Sequence, residues 1–270
     1  MKPARFDYLR AGSLAEAHAA LAAEGGDAAI IAGGQTLVPL LSMRMARPGV
    51  LVDIMHVAEL GGIGIEDNAI HVGAAVRQAE LLAWPELARH QPLLAQALPW
   101  VGHWQTRARG TVCGSIALAD PSAELPLVLA ALDGEVVLSS KQGRRTVRAN
   151  DFFTGLMSTA RRDDELIEGV RFPCSRSGEG YAFREFARRH GDFAIVACAA
   201  IVNGRKVRLA VGGVADRTVV HDLDDASDAA LAAFAASLDA RDDLHASADY
   251  RRDLVRRLGH ATIEEAKCRA

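Results

Sequence analysis

Two glycine-bearing segments of the sequence have the residue types needed to hold a phosphorylated ligand through the main chain. The first follows a short apolar run and reads Ala32-Gly33-Gly34-Gln35-Thr36-Leu37. When a strand leads through a glycine turn into the first turn of a helix, free backbone N–H groups point toward a bound anion. The two glycines also let a ligand approach the main chain closely. Thr36 is expected to cap the helix. Because a glycine pair alone is a weak motif, an ordinary strand-to-helix turn stays open as the alternative.

The second segment is dense in small residues and hydroxyls, and its centre reads Thr111-Val112-Cys113-Gly114-Ser115. Gly110 and Gly114 allow the main chain to pass close to a bulky ligand, while Thr111 and Ser115 offer hydroxyl groups. Glu124, a little further on, offers a carboxylate to sugar-like hydroxyls. A surface turn before the next helix is the alternative reading of this segment.

Other chemistries find little support in the sequence. The four cysteines, at positions 113, 174, 198 and 268, are too far apart in sequence for a zinc or iron–sulfur motif, so we expect no metal site. An inert small residue is favoured over a redox-active thiol for Cys113. Neither a nucleophile elbow nor a P-loop is present, and we expect no catalytic residue on this chain.

Charge and hydropathy narrow the choice of partners and compartment. The formal net charge is −3, which gives no global attraction to nucleic acid. No run of residues without a charge reaches the length of about 20 apolar residues that is needed to span a bilayer. Scattered free thiols fit a reducing compartment, and we therefore expect a cytoplasmic protein without a transmembrane segment.

The elements that must position the first segment are predicted as strand, helix, strand, helix, strand. The first strand covers 6–9, and Ser13 with Glu16 has the spacing of a capping box for a helix that ends at glycines 25 and 26. The strand before the first segment is followed by a helix to about residue 46. A buried strand over 50–54 completes a compact α+β unit.

The rest of the chain is predicted as a second α+β unit and a C-terminal part. A hairpin turns at Asp67-Asn68, helices cover 77–82 and 86–100, and residues 107–118 are expected to be a loop. Asn203-Gly204 predicts a type I′ hairpin turn between alternating apolar strands. Two helices, around 226–238 and 249–267, are expected to close the chain.

The two segments in this order resemble the FAD-binding medium subunit of molybdenum hydroxylases, the group that includes aerobic carbon monoxide dehydrogenase and xanthine dehydrogenase. The matching residues include 32–44 and 109–126, and later stretches at 165–173 and 183–194 agree with the same family. The resemblance covers essentially the whole chain in the right order. Two separated loops with this spacing are far more specific than either loop alone.

This resemblance implies an α+β fold. It consists of a vanillyl-alcohol-oxidase-like, PCMH-type FAD-binding domain over 1–174, divided into subdomains of about 1–55 and 56–174. A C-terminal domain over 178–270, with a small antiparallel sheet and helices, follows. FAD is expected to lie between the first two parts and to be bound non-covalently, because no histidine or cysteine stands where a covalent flavin anchor would be.

The resemblance also implies a contact set for FAD. Residues 32–37 would hold the pyrophosphate, and 111–115 would contact the flavin-side phosphate and the ribityl chain. The remaining implied contacts are Glu124, the main chain of Leu166 or Ile167, and Arg184, which stands where relatives often have lysine. Three departures from the family pattern, Cys113, Leu118 and Arg184, put the finer contacts in question.

As a function, the resemblance implies an electron-transfer subunit of a molybdenum hydroxylase. Electrons would come from the [2Fe–2S] clusters of a small partner subunit and leave to NAD⁺, a quinone or another acceptor, while substrate is hydroxylated on a large molybdopterin subunit. A dimer of such heterotrimers is the expected assembly. A free-standing FAD-dependent oxidase or reductase is the alternative, and the length of the chain argues against it. An interaction module without FAD is disfavoured by the intact glycines.

Overall fold

The computed structural model of the chain describes residues 2–224 and 226–270 and has an α+β architecture. Three sheets follow one another along the sequence. The first sheet is parallel, with strand order β1-β3-β2, and two helices connect its strands. Its elements are β1 (Asp7–Arg10), α1 (Leu14–Glu24), β2 (Ala28–Ile31), α2 (Leu37–Ser42) and β3 (Val50–Asp53). The predicted alternation of strands and helices in this unit is confirmed.

Helix α1 begins and ends as its sequence indicates. The Ser13 hydroxyl accepts a hydrogen bond of 3.2 Å from the Glu16 N–H. The Glu16 carboxylate accepts one of 2.8 Å from the N–H of Gly12, one residue earlier than a capping box requires. Gly25 ends the helix with a φ of 52°, a conformation that favours glycine.

Helix α2 is shorter than the sequence predicts, because its end is closed by a Schellman motif. The Met45 N–H donates to the Leu40 carbonyl at 2.9 Å, and the Arg44 N–H donates to the Leu41 carbonyl at 3.0 Å. Arg44 takes the left-handed position of this motif, with a φ of 59°. The predicted extension of the helix to residue 46 is therefore wrong: it ends at Ser42.

The second sheet is antiparallel, with strand order β4-β5-β10-β6-β7. The predicted hairpin turn is confirmed, since Asp67 and Asn68 have φ values of 50° and 58°, as a type I′ turn requires. A separate two-stranded ribbon, β8 (Phe153–Gly155) and β9 (Ser158–Thr159), lies between β7 and β10 in the sequence. The strands of the main sheet are β4 (Ile63–Glu66), β5 (Ala69–Gly73), β6 (Glu135–Ser140), β7 (Gly143–Arg148) and β10 (Leu166–Pro173).

Short helices fill the connections of the second unit. They are α3 (Gln78–Leu82), α4 (Leu87–His90), α5 (Pro92–Ala97), α6 (Trp104–Arg107), α7 (Val112–Leu118), α8 (Glu124–Ala131) and α9 (Ala149–Phe152). The helical stretch predicted over 86–100, which contains Pro92 and Pro99, is divided at Gln91. The Gln91 side chain accepts a hydrogen bond of 3.1 Å from the Leu93 N–H and so starts a new helix. The loop predicted over 107–118 is also wrong, because its second half is α7.

The third sheet is an antiparallel meander, β11-β12-β13-β14, followed by two helices. The predicted hairpin is confirmed, but the predicted type I′ turn at Asn203-Gly204 is wrong. Asn203 pairs with Lys206 in the ladder, so the two turn residues are Gly204 and Arg205. Gly204 has a φ of 58°, but Arg205 lacks the positive φ that a type I′ turn requires. The elements are β11 (Glu179–Phe186), β12 (Val196–Asn203), β13 (Lys206–Gly212), β14 (Val219–Leu223), α10 (Asp228–Ser237) and α11 (Ala248–Lys267).

Strand β11 is buried on both of its faces and joins the two hydrophobic cores. Tyr181 and Phe183 belong to the core that the first and second sheets share. Ala182 belongs to the core between the third sheet and its helices. Because strand side chains alternate, residues 181, 183 and 185 face the second unit, while 182 and 184 face α11. In the part of the chain that is described, no helix combines the length and apolarity needed to cross a membrane.

Candidate functional site

The structure brings the two glycine segments into direct contact. We call residues 32–37 the first loop and residues 109–115 the second loop. A Cβ atom added to Gly33 would overlap the carbonyl oxygen of Arg109 and lie 2.7 Å from the Cα of Gly110. Real Cβ atoms do not approach other atoms this closely, so the two loops pack main chain against main chain, and only glycine fits at position 33.

The first loop is open and leaves its donors free. Gly34 has a φ of 71°, and its carbonyl accepts a hydrogen bond of 3.1 Å from the Val38 N–H. Within the described residues, the backbone N–H groups of 33–37 find no protein acceptor. A row of such donors is an anion site. Since α2 has only six residues, these N–H groups contribute more to the binding of an anion than the dipole of α2 does.

Thr36 does not cap α2, which corrects the sequence-based expectation. Its backbone is helical, with φ −100° and ψ −49°, and its side chain accepts no capping hydrogen bond. A capping residue needs an extended backbone to turn its oxygen toward the following N–H groups. The Thr36 side chain is exposed and so is free to face a ligand.

The second loop is anchored by its surroundings. The Thr111 hydroxyl accepts a hydrogen bond of 3.0 Å from the Gly114 N–H and caps α7. The Gly110 N–H donates to the Thr106 carbonyl at 2.7 Å, and the Val112 N–H donates to the Val76 carbonyl at 3.1 Å. This loop is therefore a fixed wall against which the first loop packs.

Gln78 holds the second loop in place, although no sequence motif singles this residue out. Its backbone N–H donates to the Gly110 carbonyl at 2.9 Å, and its side-chain amide donates to the Thr111 carbonyl at 3.4 Å. Gln78 is buried, and its Oε1 atom has no hydrogen-bond partner among the described residues. A glutamine in the first turn of a helix is too common for sequence alone to single it out.

Cys113 lies in the wall of the site as a buried thiol. It is 3 % exposed, and burial raises its pKa above the ordinary value, so the thiol stays protonated. Its Sγ lies 3.6 Å from the Val72 carbonyl. These contacts support the interpretation of Cys113 as an inert packing residue. Beside it, Gly114 is exposed and Ser115 is half-buried, which leaves that edge of α7 open to a ligand.

Leu166 and Ile167 lie at the start of β10, next to the elements that hold the second loop. Strand β5 pairs with β10 only from Gly169 onward, so in the described chain the first residues of β10 have a strand partner, β6, on one side alone. Helix α7 packs on β5 and β10. A contact between the main chain of Leu166 or Ile167 and a cofactor stays a prediction.

Glu124 stands at the N-terminus of α8 and is 4 % exposed. Burial is the largest cause that raises the pKa of its carboxyl group, to about 7, and the nearby charge of Asp120 adds to the rise while Arg107 opposes it. The turn before Glu124 contacts the third sheet, since the Gly213 N–H donates to the Pro121 carbonyl at 2.8 Å. Glu124 is thus held where the second and third sheets meet.

The structure does not bring Arg184 to the loops. The Arg184 guanidinium donates to the Glu265 carboxylate of α11, with an Nε to Oε2 distance of 2.7 Å. It therefore faces α11, on the side of the third sheet away from Phe183 and the second unit. A contact between Arg184 and a cofactor stays a prediction.

The arrangement fits a bound dinucleotide. Unpaired main-chain donors in the first loop suit a diphosphate, and the contact at Gly33 brings the two loops together. Among the described residues, no group of three histidine, cysteine, aspartate or glutamate side chains is placed to hold a metal ion. The geometry is that of a binding site, in which a bound cofactor supplies the chemistry.

Comparisons with known proteins agree with this geometry. The family model described as the FAD-binding domain in molybdopterin dehydrogenase matches residues 4–175. The alpha subunit of the 6-hydroxypseudooxynicotine dehydrogenase complex of Paenarthrobacter nicotinovorans is 40% identical over 287 residues, covering 100% of this chain and 97% of the relative. The nicotine 6-hydroxylase medium subunit of the same organism is 39% identical, covering 90% and 91%.

A solved structure extends the likeness to the whole fold. The carbon monoxide dehydrogenase of Hydrogenophaga pseudoflava contains a chain that superposes with a TM-score of 0.94 at 32% identity, covering 100% of both chains. The likeness therefore includes the third sheet and α11, which lie beyond the residues that the family model matches.

Proposed function

The chain belongs to the family of FAD-binding domains of molybdopterin dehydrogenases, and we propose that its two loops together hold the diphosphate of FAD. The protein is the FAD-binding, medium-type subunit of a molybdenum hydroxylase. The observation that carries the loop assignment is the packing of Gly33 against Arg109 and Gly110. It places the free N–H groups of 33–37 beside the N-terminal turn of α7.

The other contacts follow from the same placement. Backbone N–H groups of 33–37 donate to the diphosphate, and Ser115 with the exposed edge of Gly114 lies along the ribityl chain. Glu124 accepts hydrogen bonds from ribityl hydroxyls, and the free side of the Leu166 main chain meets the flavin. Gln78 and Thr111 need not contact FAD, because both residues hold the second loop in place.

The protein transfers electrons and does not carry the substrate site. Bound FAD supplies the redox chemistry, accepting electrons from the [2Fe–2S] clusters of a small subunit and delivering them to an external acceptor such as NAD⁺ or a quinone. The relatives are described as medium subunits or as a subunit of a dehydrogenase complex. We extend this assembly to the chain, with a large molybdopterin subunit and a dimer of heterotrimers.

The domain division and the compartment belong to the same proposal. The first two sheets, within residues 1–174, form the FAD-binding domain, and residues 178–270 form a C-terminal domain. The four cysteines of the chain are all unpaired in the structure, which favours a reducing compartment. On this ground we assign the complex to the cytoplasm.

The loop assignment is tested by charge alone, with Thr36→Asp compared with Thr36→Asn. Both side chains are of nearly equal size, and both suit the start of a helix, but only aspartate adds a negative charge beside the proposed diphosphate. One unit charge a few ångströms away costs about 1–2 kcal/mol at intermediate dielectric. We expect the Kd for FAD, measured by quenching of flavin fluorescence, to rise about tenfold or more for Thr36→Asp.

The asparagine variant should stay within about threefold of the wild-type Kd. Thermal unfolding of the FAD-free proteins should show that both variants are folded, since neither side chain is buried. Equal affinities of the aspartate and asparagine variants would show that the diphosphate lies elsewhere.

A further inference from the structure

Helix α6 lies directly before the second loop and has no buried residue of its own. It consists of four residues, Trp104–Arg107. A helix this short is not stable by itself in water, and His103 at its start makes no capping hydrogen bond through its side chain. Contacts with other segments must therefore hold α6 in place.

Arg107, the last residue of α6, provides such contacts through its guanidinium group. Its Nη1 atom donates to the carbonyls of Gly102 at 2.8 Å, Val101 at 3.0 Å and Pro99 at 3.2 Å. These carbonyls lie at the end of a 3₁₀ turn over Leu98–Trp100, and no main-chain N–H of the described residues donates to them. One side chain thus satisfies three otherwise unpaired acceptors and ties α6 to the turn before it.

Helix α6 in turn holds the second loop at the point where it meets the first loop. The Thr106 carbonyl accepts hydrogen bonds from the N–H groups of Gly110 at 2.7 Å and Arg109 at 3.2 Å. These two residues are the ones against which Gly33 packs. On its other side, the Gly110 carbonyl accepts from the Gln78 N–H at 2.9 Å. Gly110 is therefore fixed from two directions, and α6 supplies one of them.

We propose that Arg107 is a positioning residue of the FAD site, which acts through α6 and the second loop without contacting the cofactor. The inference rests on the proposed function. The hydrogen bonds run without a gap from the three carbonyls through Arg107 and Thr106 to Gly110, which touches Gly33. When the guanidinium is removed, α6 loses these bonds, and the wall against which the first loop packs is no longer fixed. A site whose supporting residues are loose loses affinity even when every contact residue is present.

The affinity for FAD is measured first, for Arg107→Gln and Arg107→Lys in the full chain. Glutamine is shorter and uncharged, whereas lysine keeps the charge and has three N–H donors for the three carbonyls. Fluorescence titration should show that the Kd rises about tenfold or more for Arg107→Gln, as happens when residues that orient metal ligands are removed. Arg107→Lys should recover most of this loss.

The matched control is Arg252→Gln. The Arg252 guanidinium also donates to a main-chain carbonyl, that of Leu238, but it lies in α11 and holds no part of either loop. Its removal should leave the Kd for FAD at the wild-type value. A Kd for Arg107→Gln that is equally unchanged would overturn the proposal.

Hydrogen exchange of the FAD-free full chain separates positioning from other roles of Arg107. The Gly110 amide should exchange about tenfold or more faster in Arg107→Gln, while amides of β12 keep their wild-type rates, since the opening is local. A purely structural role would speed exchange throughout the chain. Across the wild type and the two variants, faster exchange at Gly110 should accompany weaker FAD binding.

Weak FAD binding by Arg107→Gln with wild-type exchange at Gly110 would contradict the proposal. The loss would then come from the charge of Arg107, which opposes the rise that burial causes in the pKa of Glu124. Because the exchange is measured without FAD, its outcome does not depend on where the diphosphate binds. Failure of the charge test at Thr36 would remove the loop assignment and leave the exchange result intact.

Discussion

The two loops each contain two glycines and a threonine, but their structural roles are opposite. In the first loop, the N–H groups of 33–37 find no protein acceptor in the described chain, and Thr36 leaves its helix uncapped. In the second loop, Thr111 caps α7, and neighbouring segments hold its backbone on both sides. One loop thus offers donors to a ligand, while the other is a scaffold.

Because of this difference, we expect substitutions in the two loops to change different quantities, FAD affinity in one loop and protein stability in the other. Changes in the open loop should act mainly on FAD affinity, since few contacts within the protein depend on it. Changes in the anchored loop should act mainly on the free energy of unfolding. Gly33 is the exception, because it belongs to the open loop and also touches the anchored one.

The largest effect is expected for Gly33→Ala. The new methyl group would overlap the Arg109 carbonyl, so the loops must move apart and the site must widen. We expect FAD affinity to fall by at least about a hundredfold, and the free energy of unfolding to fall by about 1–3 kcal/mol, as overpacking usually costs. Fluorescence titration and urea denaturation measure the two quantities.

Gly62→Ala is the matched control, because a Cβ on Gly62 meets nothing within 4 Å. It should leave both quantities close to the wild type. If Gly33→Ala retained wild-type affinity, the contact between the loops would not form part of the FAD site, and the comparison above would fail.

A smaller effect, in stability alone, is expected for Thr111→Val. Valine keeps the shape of the buried side chain and removes the hydroxyl that accepts from the Gly114 N–H. Loss of a helix cap costs about 1 kcal/mol, and urea denaturation should show this while the Kd for FAD changes by less than about threefold. Thr111→Ser keeps the hydroxyl and should recover most of the lost stability. A Kd that rises more than tenfold in Thr111→Val would show that this hydroxyl binds FAD directly.

Much of the fold follows from local sequence signals. The turn at Asp67 and Asn68 and the Ser13 cap were predicted because each depends on residues close in sequence. The wrong predictions concern segments whose structure is determined by tertiary packing. Helix α7 contains Gly114 and Ser115, which are poor helix formers, and it forms because Thr111 caps it and because it packs on β5 and β10.

The residues of the candidate site show the same difference between local signals and tertiary packing. Glycines 33 and 34 were identified from sequence because close approach of the main chain demands glycine. Gln78 was missed, because its importance comes from hydrogen-bond partners in the second loop that only the folded chain brings near. The direction of Arg184 depends on the register of β11, which its own sequence does not determine.

The smallest effect is expected for Thr36→Ala, and it is the most direct test of the open loop. Since the Thr36 side chain makes no capping hydrogen bond and is exposed, its removal should change the free energy of unfolding by less than about 0.5 kcal/mol, as is usual for surface positions. Its hydroxyl is free to reach a ligand, so the Kd for FAD should rise by a few-fold at most. Urea denaturation of the FAD-free chain measures the change in the free energy of unfolding. A loss near 1 kcal/mol would mean that Thr36 caps α2 in solution, and the first loop would then be anchored in the same way as the second.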